Sequence, residues 1–457
     1  MPDYSGKKVL IMGYGLNEGG SGPQAARYLA CKGADLTITD LRTADILAPT
    51  MGILDGFQVR WVLGHHDISD FQNADIVVKN PGVNKDSPFL ANVKQIETDL
   101  SLFLQEKQPN LIAVTGSKGK SSISSLIYHV LKQAGRRSHL GGNISVSPLT
   151  FVDDVENTDT VVLEISSWQS GDLLHLDLLK PKVSLITNLF NDHQNYYQND
   201  MAAYALDKAA VCLEQTEDDW TVLNLDDEWM PFFREHTKAQ IAYFSCSVLD
   251  KKYPCGAYLD KDDIVLRKDG KEQHLKLNND RMLPQNLMTA ALVLYLYGLE
   301  ISTIEEGIRT FKGIRHRLQP VLEKQGVRYY NDSAATIPIA AVASIQHFAP
   351  KARKLHVIFG GSDKELDFAP MKDAFPLVAS WHVFEGTALP KIQQIFQEYG
   401  QSYFGPFRNM EDIVASAAAQ AQEGDIILMS PGCTSFGLFL NEFDRGNQFI
   451  EIVQKQN

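Results

Sequence analysis

The run Leu111 to Val114, followed by Thr115-Gly116-Ser117-Lys118-Gly119-Lys120-Ser121-Ser122, most narrows what this chain can fold into. Leu111 to Val114 is apolar and β-prone, and Ile123, Leu126, Ile127, Val130 and Leu131 recur behind the glycines at helical spacing. Two glycines at such a strand-to-helix turn make a phosphate-binding loop. Backbone N–H groups and the helix N-terminus would cradle phosphate oxygens, Lys120 would neutralise the terminal phosphates, and the Ser121 hydroxyl would reach Mg²⁺. The general pattern asks for a further glycine five residues before Gly119, where this chain has Val114, so the loop is a shortened variant. A nucleoside triphosphate is the expected ligand. A glycine-rich turn with a solvated lysine is the plain alternative.

At 457 residues the chain exceeds what one hydrophobic core usually supports, so two to three domains are expected. A formal net charge of -13 argues against a nucleic-acid binder, and any polyanionic ligand must be met by a local basic cluster. The five cysteines form no CxxC pair, which gives neither a disulfide framework nor a zinc ribbon. The first residues carry no basic leader, and no apolar run approaches the roughly 18–20 residues of a membrane helix, so a cytoplasmic protein without membrane attachment is expected.

Strand-like runs alternate with helical periodicities, the pattern of parallel sheets covered by helices. Three α/β blocks separate: a Rossmann-like block over 1–109, a block over 110–312 holding the phosphate loop in a mostly parallel sheet, and a second Rossmann-like block over 313–457. The first opens with Lys8 to Met12, a Gly13-Tyr14-Gly15 turn, a helix near Pro23 to Lys32 and a strand from Asp35 to Asp40. Ligands of open α/β sheets sit beyond the carboxyl ends of the strands, which is where chemistry should be sought.

Gly13-x-Gly15 followed by Asp40 has the outline of a dinucleotide fingerprint, but Glu18 takes the third glycine's place and the turn extends through Asn17-Glu18-Gly19-Gly20-Ser21-Gly22. A structural turn, an NAD site and a UDP-sugar site all fit these residues. Glu164 ends the strand Val161-Val162-Leu163, where a carboxylate suits Mg²⁺, an ion that takes oxygen ligands. A solvent-facing acid is the other reading. His193 follows another strand of the same block.

Taken in order, Gly116-Ser117-Lys118-Gly119-Lys120-Ser121, Gly141-Gly142-Asn143-Ile144, Glu164-Ile165-Ser166-Ser167-Trp168-Gln169, Asp192-His193, His316-Arg317, Asn331-Asp332-Ser333 and Ser430-Pro431-Gly432-Cys433 resemble the motif series of the Mur ligases across all three blocks. The resemblance implies an ATP-dependent ligase that adds glutamate, in its D form, to UDP-N-acetylmuramoyl-L-alanine through an acyl phosphate. It would act as a cytoplasmic monomer in peptidoglycan precursor synthesis. The same resemblance gives the UDP precursor to Gly15, Leu16, Asn17, Asp40, Leu41, Arg42, Asn80, Gly82, Asn143 and Ser166. ATP falls to Gly116, Ser117, Lys118, Gly119, Lys120, Ser121 and Ser122, with Asn286, Arg317 and Asp332. Lys120, Glu164, His193 and Lys208 are the implied catalytic residues, with Ser121 and Glu164 on one Mg²⁺ and His193 on a second. Lys208, fifteen residues after His193, matches a lysine that takes up carbon dioxide as a carbamate. Thr336, Lys364, Ser435 and Phe443 would hold the amino acid.

Around that amino-acid site the chain departs from the D-glutamate-adding members. The segment Asn331 to Thr336 has alanine where they carry a lysine, Glu442-Phe443 reverses their aromatic-then-acid order, Gln285 and Thr289 replace a histidine and an asparagine, and Asn195 replaces an aspartate. An L-glutamate-adding variant, a ligase like folylpolyglutamate synthase and a non-catalytic UDP-precursor-binding subunit are the alternatives. Joint retention of Lys120, Glu164, His193 and Lys208 argues against the last. Residues 1–108 supply a UDP-type domain that folylpolyglutamate synthases lack.

Overall fold

The computed structural model describes residues 3–277 and 279–455. The chain forms two compact units, Met1–Leu277 with Gln285–Thr310, and Asn278–Pro284 with Phe311–Asn457. The first unit carries two sheets. In the N-terminal one, five parallel strands lie in the order Val59–Leu63, Asp35–Asp40, Lys8–Met12, Ile76–Lys79, Ile96–Glu97. Strand order reverses between Lys8–Met12 and Ile76–Lys79, and such a reversal leaves a crevice beyond the carboxyl ends of the two strands.

The second sheet has nine strands, in the order Lys271–Lys276, Asp263–Lys268, Gly256–Asp260, Gln240–Ser245, Trp220–Asn224, Val183–Ile186, Asn110–Thr115, Thr160–Glu164, Ser138–Gly142. Eight run in one direction, and Asp263–Lys268 runs against both of its neighbours. Asn110–Thr115 is central because its apolar residues are buried on both faces, which suits a parallel strand covered by helices on either side. Its registers put Glu164 beside Val114, and Ile186 beside Thr115, so three strand ends meet at the phosphate loop.

The second unit holds one six-stranded sheet, ordered Gln319–Lys324, Val327–Asn331, Ile426–Met429, Leu355–Phe359, Ser380–Phe384, Phe404–Phe407. Only Gln319–Lys324 is antiparallel, joined to its neighbour by Gln325-Gly326, both at positive φ. The architecture is α/β with three mostly parallel sheets, as the alternating sequence pattern implies.

At the opposite ends of the second unit's strands from their carboxyl termini lies a buried polar chain. Asp425, fully buried, is 3.2 Å from His356 Nε2; His356 Nδ1 is 2.7 Å from Ser380 Oγ; Ser380 Oγ is 2.8 Å from His382 Nε2; and His382 Nδ1 is 2.9 Å from Ser416 Oγ. Burial, reinforced by His356, pushes the His382 pKa down to about 4. His382 is therefore neutral when folded and takes a proton near 6.5 when unfolded. Stability from this group is full above about pH 6.5 and falls by about 3 kcal/mol as pH drops to about 4. Denaturant unfolding between pH 7 and 4 should therefore show a steeper loss of stability in the wild type than in His382→Gln.

Candidate active site

The phosphate loop is built by its glycines and held by the neighbouring strand. Gly119 caps the helix Lys120–Gln133 at φ 90°, and Gly116 has φ 136°, a backbone region that favours glycine. A Cβ on Gly116 would also overlap Thr187 Oγ1. Thr187 Oγ1 donates to the Lys118 carbonyl at 2.6 Å, while Ser117 N and Lys118 N donate to Asn188 O and Asn188 Oδ1 at 2.9 and 2.8 Å. Lys118 Nζ is 3.4 Å from Asp192 Oδ2. Asn286 lies against Gly119, where an added Cβ would come within 2.9 Å of its Oδ1.

Lys120 Nζ turns back onto its own loop, donating to Gly116 O at 2.8 Å and Ser117 O at 3.2 Å. Lys208 Nζ, from the helix Met201–Leu213, donates to the same Gly116 oxygen at 3.0 Å. Lys208 is 2% exposed and its amine lies over the Tyr204 ring. Burial first, and then the neighbouring Lys120 charge, lowers its pKa well below that of an ordinary lysine. Tyr204 in turn places its hydroxyl 3.1 Å from Ser117 Oγ.

Glu164 is buried at its strand end. Its Oε1 accepts from Asn143 Nδ2 at 3.1 Å, and its Oε2 has no hydrogen-bond partner. Leaving a buried acceptor unsatisfied costs about 1–3 kcal/mol, more for a charged group. An anionic oxygen kept in that state beside a phosphate loop fits a divalent cation. Among the described residues no group of three or more His, Cys, Asp and Glu side chains is arranged to hold a metal by itself. Mg²⁺ would complete its shell with the Ser121 hydroxyl, phosphate oxygens and water. His193 is at φ 57°, with its ring packed 5.2 Å from Trp168 and its Nε2 4.0 Å from Asp192 Oδ2. The side chain of Asn195 lies outside the described residues.

A cleft of about 280 Å³ opens at the strand reversal of the first sheet. Gly15, Leu16, Asn17, Asn80, Gly82, Asn143 and Ser166 all line it, joined by Tyr14, Gly20, Ser21 and Trp168. The third glycine of the fingerprint is present after all, displaced along the chain: a Cβ on Gly22 would sit 2.7 Å from Gly13 O and overlap Tyr14 O. Gly22 thus lets the helix Ser21–Cys31 press against the first turn, the task of the third glycine in the standard spacing. Asp40, Leu41 and Arg42 are not part of the cleft wall. Asp40 is buried and accepts from Tyr14 N at 2.8 Å and Arg42 N at 2.9 Å, bracing the glycine turn.

Family models described as Mur ligase middle domain and as Mur ligase, glutamate ligase domain match residues 114–285 and 316–433. The chain is 40% identical over 456 residues to a protein of Borreliella burgdorferi (strain ZS7) named UDP-N-acetylmuramoylalanine--D-glutamate ligase, with 97% of each chain covered. It belongs to the Mur ligase family. A Treponema pallidum (strain Nichols) protein of the same name is 32% identical, with 98% of each chain covered. Among solved structures, UDP-N-acetylmuramate-alanine ligase MurC from Thermotoga maritima shares the fold at TM-score 0.62 and 18% identity, with 99% of this chain and all of that chain covered. This Mur ligase is accordingly an ATP-dependent, amide-bond-forming enzyme.

In the second unit of this Mur ligase, Asp332 is 5% exposed and receives Ser344 Oγ at 2.6 Å, Ser430 Oγ at 2.8 Å and Leu318 N at 3.2 Å. Burial raises its pKa to about 6. Arg317 is half-buried, Thr336 likewise, Ser435 is buried, and Lys364 and Phe443 are exposed. Sequence reasoning missed Arg445, which is wholly buried and donates to Ser333 O at 2.8 Å, Ser333 Oγ at 3.0 Å and Cys433 O at 3.1 Å. It ties the segments carrying Thr336 and Ser435 to the helix that carries Phe443. It also missed Tyr204, whose only sequence signal is its position one helical turn before Lys208 on the same face.

Lys120→Ala removes the cation that faces the loop. Turnover, followed as phosphate release, is expected to fall by at least about 100-fold, with the circular dichroism spectrum unchanged.

Proposed function

We propose that this Mur ligase joins D-glutamate to UDP-N-acetylmuramoyl-L-alanine with ATP, as a monomer in the cytoplasmic synthesis of peptidoglycan precursors. Residues 1–109 hold the UDP precursor, 110–312 hold ATP, and 313–457 hold glutamate. The observation that carries this reading is the cleft. Seven of the ten residues assigned to the precursor line it, and one of them, Asn143, donates to Glu164 beside the phosphate loop. Among the described residues no helix is long and apolar enough to cross a membrane.

A carboxylate does not acylate an amine at neutral pH, because its oxygen is a poor leaving group. Transfer of the γ-phosphoryl group to the alanine carboxylate gives an acyl phosphate and ADP. The glutamate nitrogen then attacks the acyl carbon, phosphate leaves, and the nitrogen releases its proton to solvent. Lys120 and the loop N–H groups stabilise the oxygens of the phosphoryl group in flight, and the cleft brings the acceptor carboxylate into line. Ser121 and Glu164 would hold one Mg²⁺ and His193 a second. When bound, these ions neutralise charge on the phosphoryl oxygens.

Lys208 in this reading carries a carbamate. A lysine whose pKa is lowered by burial and by Lys120 keeps its nitrogen lone pair free. That nitrogen adds to the carbon of carbon dioxide and loses a proton to solvent, placing an anion beside the Lys120 ammonium where the two side chains crowd Gly116 O.

Alanine in place of lysine in the segment before Thr336, and the order Glu442-Phe443, depart from the D-glutamate-adding members and leave L-glutamate as the second reading. Purified protein with ATP, Mg²⁺ and the UDP precursor should release phosphate only when D-glutamate is added. Release with L-glutamate alone selects the second reading, and release with neither enantiomer sinks both. Lys208→Ala is expected to be inactive and to regain turnover when short carboxylic acids are supplied. An active, unrescued alanine variant would rule out the carbamate.

A further inference from the structure

The segment that carries Asn80 and Gly82 into the cleft is held at both ends by lysines. Lys79, the last residue of its strand, is 2% exposed, and its Nζ is 2.7 Å from Asp172 Oδ2. The same ammonium donates to Val83 O at 2.9 Å, closing the chain around the Pro81-Gly82 turn. Inside this closed segment Asn80 Oδ1 accepts from Gly82 N at 3.0 Å, Asn80 O accepts from Val83 N at 2.9 Å, and Asn80 N donates to Met12 O at 3.0 Å. Asn80 also packs on the glycine turn, since a Cβ on Gly13 would come within 3.1 Å of its own Cβ. At the far end Lys85 Nζ lies 3.3 and 3.4 Å from the two oxygens of Asp207, which also accepts from Tyr197 OH at 3.0 Å.

The two acids come from different helices but are neighbours. Asp172 ends the helix Ser167–Asp172, whose first turn puts Ser166 and Trp168 on the cleft wall; Asp207 precedes Lys208 on the helix Met201–Leu213. Gly171 brings them together, because a Cβ there would overlap the Asp207 carboxylate at 2.5–2.7 Å. Two carboxylates side by side in a buried place repel each other, and two lysines from one segment answer both.

We propose that Lys79 and Asp172, supported by Lys85 and Asp207, are positioning residues for the precursor, clamping the Asn80–Gly82 segment onto the helices that bear Ser166 and Lys208. The proposal rests on the cleft being the UDP-precursor site. None of the four residues touches the reacting atoms; they fix the wall against which the precursor is held. Loss of the clamp therefore weakens precursor binding to a similar degree in the ground and transition states, which raises KM and leaves kcat in place. A side chain that merely stabilised the fold would lower the unfolding temperature without selecting one substrate.

Steady-state kinetics of Lys79→Met and Asp172→Asn test this. Both should raise the precursor KM at least about tenfold while kcat and the ATP KM stay within about twofold, and Lys79→Arg should restore most of the affinity. Lys85→Met, which breaks a half-exposed pair, should give a smaller rise. If Lys79→Met does not fold, Lys79→Met/Asp172→Leu removes both charges together, a change that buried pairs tolerate better than loss of one partner, and its precursor KM should still be raised. An unchanged precursor KM in a folded variant, or an equal loss in kcat and in the KM for ATP, overturns the clamp. Calorimetry of the wild type with the precursor separates the two levels of inference. Absence of binding there overturns the substrate reading and the clamp with it, whereas wild-type binding with unaffected variants overturns the clamp alone.

Discussion

Two lysine side-chain nitrogens converge on one carbonyl oxygen, that of Gly116. Much of the site follows from this crowding. Lys120 arrives there because the loop closes into a helix at Gly119, and Lys208 arrives from a helix about ninety residues further on. Like charges sharing an acceptor in a buried place cannot both remain ordinary cations. Burial first, and the neighbouring Lys120 charge second, loosens the proton of Lys208. The carbonyl is fixed by the strand ending at Thr115 and by Thr187, which leaves no room for a side chain on Gly116. Strand register, glycine conformation and lysine acidity are thus one arrangement.

The parts of this arrangement that are local in the chain were legible in the sequence. The phosphate loop announces itself through a β-prone run, two glycines and a helical repeat, and the structure has that strand, turn and helix in those places. Glu164 could be assigned to a strand end because parallel strands bring their carboxyl termini to one side of a sheet. The antiparallel edge from Gly256 to Lys276 was passed over, although Asp269-Gly270, both at positive φ, is the dipeptide a two-residue hairpin requires.

What stayed hidden depends on side chains meeting across long stretches of chain. Lys79 reads as one more polar residue at a strand end until Asp172 is found beside it, and Arg445 as a surface charge on an amphipathic helix until Ser333 and Cys433 close over it. Asp40 is a more instructive case. Its type and spacing match a ribose ligand, yet its carboxylate is taken up by the backbone of Tyr14 and Arg42. A motif reports which group stands at a place, and burial decides whether that group is still available.

Gly22 has no functional group, yet it governs a field. By allowing the helix Ser21–Cys31 to lie against the backbone of Gly13 and Tyr14, it brings the helix's amino end, with its partial positive charge, to the floor of the cleft. The attraction of that end for an anion dies away within about a helical turn, so the width of one methyl group is enough to alter how firmly an anion there would be held. Gly22, behind the cleft wall, acts as a spacer of zero length, and how near the helix's amino end comes to the cleft is set by what it lacks.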